Sequence, residues 1–484
     1  MKNFILSSLF ILFLFSSCKK SWLEVVPLGN LVAKTTDDYS KLMNDPAFYL
    51  NNYDGGWQEP MLMGDDVAAE TQYFINRDIF RVPLFQWKDT IYATPDQVAG
   101  ALQDHSTRVY TLNKIINEVM NSTEGTEAQK KAIRAEALAT RAWTHFNMAN
   151  YYCKPYNAST ASSDPGFWYT TQPDVNQSSF PRGTLQQTYD MIIKDLTEAL
   201  AAIPRIQPFV TRMSRPAVEG ILGKVYLFMG RYNDALPLLN AALEDVTANG
   251  QTILYNYNET LAPNGSFMPI NNMSGPNSPG QDMNNLKEAV LSKVFNSGFY
   301  NKISSYGLVL SARAAALYSP GDFRLLFYTN RNPDFTVNVN GRLRKYGVSY
   351  SRYGLQLPEL YLLQAECKAR LNDLSGAVTA VETLRKNRMP VADATVPAPV
   401  AGNQAALIKF IVDERTREFA MEGYRWFDMR RLAADPLFAG ESYTHTMYNA
   451  DGTTATYQLK LPERLVLKIP RNVTDANPDI VNNP

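Results

Sequence analysis

The sequence predicts a mainly α-helical fold, in which tetratricopeptide-like helix pairs form a scaffold beside an irregular, loop-rich lobe and a minor β-hairpin. Along several long segments apolar residues recur at steps of three and four, as on one face of an α-helix. Residues 221–243 also have the small residues and turn glycine of a tetratricopeptide repeat. Residues 18–95 are rich in Asn, Asp, Gly, Pro and aromatics, which predicts the irregular lobe, and alternation around Asp451 and Gly452 predicts the hairpin.

Composition and charge exclude several classes of function. Of the 484 residues, 45% are hydrophobic and 19% are charged, which is typical of a folded chain of one large or about three smaller domains. The 47 basic and 47 acidic residues cancel, so no long-range field attracts nucleic acid. Three Cys and three scattered His favour neither a disulfide framework nor a histidine metal site, and no phosphate-binding loop or nucleophile elbow occurs. We expect no metal, no cofactor and no nucleic-acid partner.

Residues 1–18 predict export and lipidation. Lys2 is the only charged residue before Cys18, and residues 4–15 form an apolar run that would span only about 18 Å as a helix. That length is too short to cross a bilayer but is typical of a signal peptide. Because "FSSC" resembles a bacterial lipobox, we expect removal of residues 1–17 and acylation of Cys18. The alternative is an ordinary secretory signal with an incidental cysteine.

Start and stop signals delimit the first helices. Thr36 is placed to cap the first of them, and Thr184 with Gln187 has the spacing of a capping box at the start of the fourth, which stops at Pro204. Helices are predicted over residues 35–43, 95–120, 127–152 and 184–203.

The repeat signature occurs twice. In residues 221–243, Gly223 and Ala235 leave room for a neighbouring helix and Gly230 permits a tight turn. A weaker copy, "AECKARLNDLSGAV", places Asn372 at the turn position. Such repeats bury their apolar faces only by stacking on neighbours, so we expect a solenoid-like core.

A charged segment, "IVDERTREFAMEGYRWFDMRRL", is predicted as one helix over residues 411–432. Glu414, Glu418 and Glu422 follow at steps of four, and paired carboxylates are the machinery of glycoside hydrolases. Arginines interleave with them, however, and would lower the carboxylate pKa values. A structural charge network is therefore favoured over an active site, and we expect a protein that is not an enzyme.

Several stretches, spread over nearly the whole chain, resemble the SusD/RagB family of bacterial surface lipoproteins. Their order behind the lipobox carries the resemblance, since helix pairs of this kind occur in many proteins. The stretches are "FLFSSC", "WLEVVP", "KAIRAEALATRAWTHFNMANYYCKPYN", "PRGTLQQTYDMIIKDLTEALAAIP", "SRPAVEGILGKVYLFMGRYNDALPLL", "LPELYLLQAECKARLNDLSGAVTAVETLRKNR", "ERTREFAMEGYRWFDMRRL" and "LKIPRNVTDANPDIVNNP".

The resemblance implies a SusD-like fold and a role in nutrient uptake. Residues 18–240 would form an N-terminal part with the irregular lobe and first repeats, and residues 241–484 a C-terminal part. Family members are not catalytic; they capture oligosaccharides, or in some cases peptides, for a SusC-type TonB-dependent transporter. The expected location is the outer membrane, with a lipid anchor and exposure at the cell surface. A tetratricopeptide-type adaptor that assembles other proteins is the weaker alternative.

Aromatic residues on loops are the candidates for a sugar site. A sugar ring has an apolar face and hydroxyls at its edge, so a receptor needs flat aromatic side chains beside amide or charged groups. The alternative for each aromatic is packing in the core of the lobe, and for Asp65 and Asp66 it is turn formation or helix capping. The predicted ligand-binding residues are Trp57, Asp65, Tyr73, Asn76, Arg77, Trp87 and Tyr92. A second group of candidate aromatic residues is Tyr255, Tyr257, Phe299 and Tyr300.

Two cysteines and one histidine fall on predicted helices. Cys153 and Cys367 are expected to be small buried thiols, with a mutual disulfide as the alternative. His145 is expected to be a packing or surface residue.

Overall fold

The computed structural model describes residues 33–484 except residues 52–55, 75–80, 93, 95, 273, 280–282, 284–285, 297–306, 333–334, 339 and 347–349, and except the side chains of residues 73 and 74. The expected signal peptide and Cys18 lie outside the described residues. The α-helices are α1 (Thr36–Leu42), α2 (Gln58–Met63), α3 (Thr71–Phe74), α4 (Arg81–Phe85), α5 (Gly100–Glu118), α6 (Glu127–Tyr152), α7 (Leu185–Leu200), α8 (Arg215–Phe228), α9 (Tyr232–Asn249), α10 (Tyr257–Thr260), α11 (Ala312–Ala315), α12 (Leu357–Arg370), α13 (Leu374–Arg385), α14 (Ala398–Ala401), α15 (Gln404–Phe419), α16 (Tyr424–Leu432) and α17 (Arg471–Ala476).

Helix pairs form the scaffold, which confirms the mainly α-helical prediction. The antiparallel neighbours α6/α7, α8/α9 and α12/α13 pack against each other, and α12 also packs against α9 and α15. In the first repeat a Cβ on Gly223 would lie 2.8 Å from the side chain of Leu239, so a larger residue would force that side chain to move and glycine favours the close approach. Gly230 at the turn has a φ of +74°, and Asn372 has a φ of +65° at the corresponding turn of the second copy. Both repeat turns therefore confirm the predicted register.

Short strands lie in residues 50–70, 289–356 and 444–458, so they extend beyond the predicted irregular lobe of residues 18–95 and are more numerous than the single predicted hairpin. The strands are β1 (Leu50–Asn51), β2 (Val67–Glu70), β3 (Ala289–Leu291), β4 (Val294–Asn296), β5 (Leu308–Leu310), β6 (Tyr328–Thr329), β7 (Arg344–Lys345), β8 (Tyr350–Arg352), β9 (Leu355–Gln356), β10 (Thr444–Tyr448) and β11 (Thr454–Gln458). The predicted hairpin is present as β10 paired with β11, and β10 continues into a four-stranded sheet in the order β11-β10-β2-β5. Other sheets have the orders β1-β4-β8, β3-β9 and β6-β7.

Of the two predicted helix caps, one is present and one was wrong. The capping box of Thr184 and Gln187 is present at the start of α7. At α1 the predicted N-cap was wrong: the hydroxyl of Thr35 accepts the amide of Asp38, whereas Thr36 donates its own hydroxyl to the carbonyl of Glu124 at 2.7 Å. Thr36 thereby ties α1 to the start of α6.

The single helix predicted over residues 411–432 is two helices, α15 and α16, separated by a turn. Met421 and Gly423 both have positive φ, +61° and +90°, which an α-helix cannot contain. The buried carboxylate of Asp66 accepts the amide of Met421 at 2.7 Å and holds this turn. Glu422 therefore lies in the turn and does not continue the helix face of Glu414 and Glu418.

No helix in the described ranges combines the length and the apolarity that crossing a membrane requires.

Candidate functional site

A cleft with aromatic walls lies where α10, the strands β6 to β8 and the α15–α16 turn meet. It has a cavity volume of about 90 Å³, so the described residues form a shallow depression, smaller than the several hundred Å³ of a pocket that encloses a drug-sized ligand. Its aromatic side chains are Tyr255, Tyr257, Phe267, Phe327, Tyr328 and Tyr350, and its charged side chains are Arg324, Lys345, Arg352, Arg417, Glu418 and Glu422.

The aromatic wall is a small apolar cluster of its own. Tyr257 and Phe267 are buried and support the half-buried rings of Tyr255 and Phe327. Ring centroids of Tyr255 and Phe267 are 5.2 Å apart, and those of Tyr257 and Phe327 are 5.3 Å apart, both within the range of favourable aromatic pairs. Tyr350 is half-buried on β8 and also lines the cleft. The half-buried rings present apolar surface to a ligand from rigidly packed positions.

Charged groups under the cleft are paired. Glu418 accepts hydrogen bonds from Arg388 at 2.9 Å and from Arg324 at 3.0 Å. Burial alone would raise the pKa of Glu418, but the two guanidinium groups lower it below its usual range. Lys345 donates to Glu422 at 2.6 Å. These contacts make the base of the cleft a compact salt-bridge network.

The acidic residues of α15 do not form a catalytic pair. Glu414 is fully buried and contacts Arg324, Arg385 and Arg417 at 2.7 to 2.8 Å. Although burial favours the protonated form, the three arginines lower the pKa of Glu414 far below its usual range. Glu414 and Glu418 are thus ionised at neutral pH and have no proton to donate as general acids. The structural charge network favoured by the sequence is present.

Trp57 lies inside the protein, where the packing alternative accounts for it. Its side chain is 2% exposed, and its ring centroid is 4.6 Å from that of Tyr424 and 4.7 Å from that of Phe427. The ammonium of Lys224 lies 5.3 Å from the Trp57 ring and 5.7 Å from that of Trp143. Lys224 also pairs with Glu359 at 2.9 Å. Trp57 thus forms part of an aromatic cage around a buried cation and has no free face for a sugar.

Trp87 also has a packing role. It is 6% exposed, its indole N–H donates to the carbonyl of Met63 at 3.1 Å, and its ring stacks on His445 with centroids 3.8 Å apart. His445 is fully buried. Tyr92 is half-buried and packs against the main core. No described contact of these residues belongs to the aromatic cleft.

Asp65 and Asp66 connect the irregular lobe to the scaffold. Asp65 is 4% exposed, and its carboxylate accepts hydrogen bonds from Nε of Arg425 on α16 and from a guanidinium nitrogen of Arg313. The arginines lower its pKa against the effect of burial. Asp66 holds Met421, and burial raises its pKa to about 6. Asp65 therefore forms a buried ion pair here, and its predicted role as a ligand residue is not supported by an accessible carboxylate.

The other predicted site residues lie outside the description. Asn76, Arg77, Phe299 and Tyr300 belong to the excluded segments, and only the backbone of Tyr73 is described, in α3. From the second group of candidate aromatic residues, the structure places Tyr255 and Tyr257 together in the cleft. Phe267, Phe327, Tyr350 and Arg352 were missed by the sequence analysis. The signal that singled out Tyr255, aromatic residues within loop-rich segments, also applies to Phe267.

Cys153 and Cys367 are free, buried thiols, as expected. Burial raises the pKa of Cys153 to about 11. His145 is fully buried and stacks on Tyr169, with ring centroids 3.6 Å apart, which confirms its packing role. Among the described residues no group of His, Cys, Asp and Glu is arranged to hold a metal ion.

Solved structures share this architecture over nearly the whole chain. A putative sugar binding protein from Bacteroides vulgatus superposes with a TM-score of 0.68 at 18% identity, covering 94% of this chain and 99% of its own. A SusD superfamily protein from Bacteroides thetaiotaomicron has a TM-score of 0.68 at 19% identity, with 93% and 100% covered. The helix-pair scaffold with its irregular lobe is therefore a SusD-like fold.

Sequence comparisons give the family. Residues 76–227 match a SusD-like family described as "Starch-binding associating with outer membrane", and residues 302–484 match the SusD family. A SusD-like protein from Bacteroides ovatus is 23% identical over 461 residues, which cover 86% of this chain and 80% of that protein. The chain belongs to the SusD/RagB family.

Proposed function

We propose that this protein is a non-enzymatic, lipid-anchored receptor of the outer membrane that captures oligosaccharides and delivers them to a SusC-type TonB-dependent transporter. The observation that carries the proposal is the cleft, in which half-buried aromatic rings lie beside charged hydrogen-bonding groups on a rigid base. This combination matches the apolar face and the hydroxyl rim of a sugar ring. The family description, which names starch binding and association with the outer membrane, supports the same role.

The paired carboxylates support binding without turnover. General acid catalysis of glycoside hydrolysis needs a carboxyl group that is protonated at working pH. Glu414 and Glu418 are held as carboxylates by arginines, so the charge network under the cleft stabilises the fold and leaves the ligand unaltered. The anchor in this proposal is Cys18, after removal of residues 1–17. We expect metabolic labelling with a fatty-acid analogue to mark the wild-type chain and not Cys18→Ala.

Isothermal titration of the Cys18→Ala chain against a panel of glycans and against mixed oligopeptides tests the ligand class. We expect binding to at least one glycan and no release of shorter sugars afterwards. Tyr255→Ala should weaken that binding by about tenfold, ~1.4 kcal/mol, because one stacking face is lost. Tyr110→Ala is the matched control, since Tyr110 is 40% exposed on α5. Binding of peptides alone would replace the oligosaccharide assignment by a peptide receptor, and sustained glycan cleavage would contradict a non-enzymatic role.

A further inference from the structure

Glu422 brings an unused hydrogen-bond acceptor into the cleft. Its side chain lines the cleft but is only 7% exposed. One carboxylate oxygen, Oε1, accepts from Lys345 at 2.6 Å, while Oε2 is buried without a hydrogen-bond partner among the described residues. Buried polar atoms in native proteins nearly always have a partner, so an unsatisfied oxygen in a ligand cleft points to a group that the ligand supplies. That group must be a hydrogen-bond donor.

Arg352 brings unused donors to the same cleft. Its side chain is 20% exposed, and its one ion pair within 4 Å among the described residues is with Glu288, whose Oε2 lies 3.6 Å from Nη1. That separation is too long for a hydrogen bond. Glu422 is its other acidic neighbour. A guanidinium carries five N–H donors in a fixed plane, so Arg352 has donors to offer to a ligand oxygen. Arg352 and Glu422 therefore present complementary hydrogen-bonding capacity.

The charged groups that line the cleft already lie beside groups of opposite charge. Lys345 is paired with Glu422, and Glu418 is paired with both Arg388 and Arg324. An anionic ligand group near Arg352 would also approach the carboxylates of Glu422 and Glu288. A cationic group near Glu422 would approach Arg352 and Lys345. Bringing an unmatched charge into such a site is unfavourable, whereas a hydroxyl group both donates and accepts.

We infer that the cleft selects uncharged sugar units, with Arg352 donating to one hydroxyl and the free oxygen of Glu422 accepting from a neighbouring one. The inference rests on the proposed function and adds the class of sugar: neutral hexoses or N-acetylated sugars, in preference to uronic acids and free amino sugars. The aromatic rings bind the face of the sugar, and Arg352 and Glu422 hydrogen-bond to the hydroxyl groups at its edge.

Paired ligands that differ only in charge test the inference. Titrations compare neutral gluco-oligosaccharides with the same chains oxidised at C6 to glucuronate, and chitin oligosaccharides with their deacetylated forms. The neutral member of each bound pair should bind at least tenfold more tightly. Equal or tighter binding of the charged member overturns this inference and leaves the proposed function standing. Failure of every glycan, neutral or charged, to bind overturns both.

Glu422→Gln separates ligand recognition from a structural role. It keeps the shape of the side chain but puts an amide donor where the free carboxylate oxygen lies. Binding of the neutral glycan should weaken at least tenfold, while binding of the glucuronate form should strengthen because a nearby negative charge is removed. A loss of stability alone would not change the affinities for the two ligands in opposite directions.

Glu244→Gln on the exposed face of α9 is the matched control. Arg352→Lys provides a second variant, in which binding of the neutral glycan should also weaken. Unchanged preference in both cleft variants contradicts the inference.

Discussion

Replacement of Trp57 distinguishes a core residue from a ligand residue. Trp57 is 2% exposed and packs against Trp143, Tyr424 and Phe427 while covering the ammonium of Lys224. Truncation of a buried tryptophan to alanine costs about 3–5 kcal/mol in folding free energy, through lost burial and the cavity that remains. Against a typical total of about 5–15 kcal/mol, Trp57→Ala should stay folded at 25 °C with much of its stability lost. Trp57→Phe keeps one ring over Lys224 and should lose about 1–3 kcal/mol.

The measurement combines urea unfolding, followed by far-UV circular dichroism, with titration of a bound glycan. The midpoint of unfolding should fall for both Trp57 variants, and glycan affinity should stay within about twofold of wild type for Trp57→Phe. Tyr255→Ala provides the opposite pattern, weaker binding with a small change of midpoint. A Trp57→Phe protein with unchanged stability and strongly weakened glycan binding would refute the packing argument and restore Trp57 to the ligand site.

Three further predictions concern buried charge and backbone strain. The pKa of Asp66 is raised from 3.8 to about 6, so the unfolded chain ionises Asp66 first and wild type loses up to about 3 kcal/mol of stability as pH rises from about 4 to 6. Asp66→Asn does not ionise, so its stability should gain on that of wild type by this amount over the same range, and a pH-independent difference in urea midpoints would contradict this. Asp65→Asn leaves the buried guanidinium of Arg425 without its carboxylate and should cost about 3–5 kcal/mol in unfolding free energy; a loss below about 1 kcal/mol in urea titrations would show that the pair is not needed. Gly230→Ala should cost about 1–2 kcal/mol from its φ of +74° alone, because no atom lies within 4 Å of the added Cβ, and a neutral result in thermal unfolding would show that the turn relaxes.

The scaffold could be predicted from the sequence because its determinants are local. Helix periodicity, the capping box of Thr184 and the turn residues Gly230 and Asn372 each act within a few residues along the chain. The loop-rich lobe was also predictable as such, since its composition favours turns. Its short strands were not, because two-residue and three-residue strands such as β1 and β3 are defined by partners far away in sequence.

The candidate site was only partly predictable for the same reason. Aromatic residues in a loop-rich lobe occur both in its core and at its surface, and amino-acid composition does not show which of them are buried. Trp57 is close in sequence to predicted loop residues, but its partners Tyr424 and Phe427 come from α16. Tyr255 lies in the loop between α9 and α10. It reaches the cleft because Tyr257, the first residue of α10, packs against Phe327. Long-range packing assigns one ring to the core and the other to the site.

The break between α15 and α16 links a difference in the fold to the position of a candidate site residue, Glu422. An uninterrupted helix would have kept Glu422 in line with Glu414 and Glu418, within the arginine network. Asp66 of the irregular lobe instead accepts the amide of Met421, and the resulting turn places Glu422 in the cleft beside Lys345. An aspartate that the sequence offered as a turn former thus acts on a turn more than 300 residues away. Burial of the Asp66 carboxylate costs folding stability at neutral pH, whereas its hydrogen bond from Met421 offsets part of that cost and holds the turn that positions a proposed ligand acceptor. The lobe therefore contributes to the site through the backbone geometry that it imposes on the scaffold as well as through its own side chains.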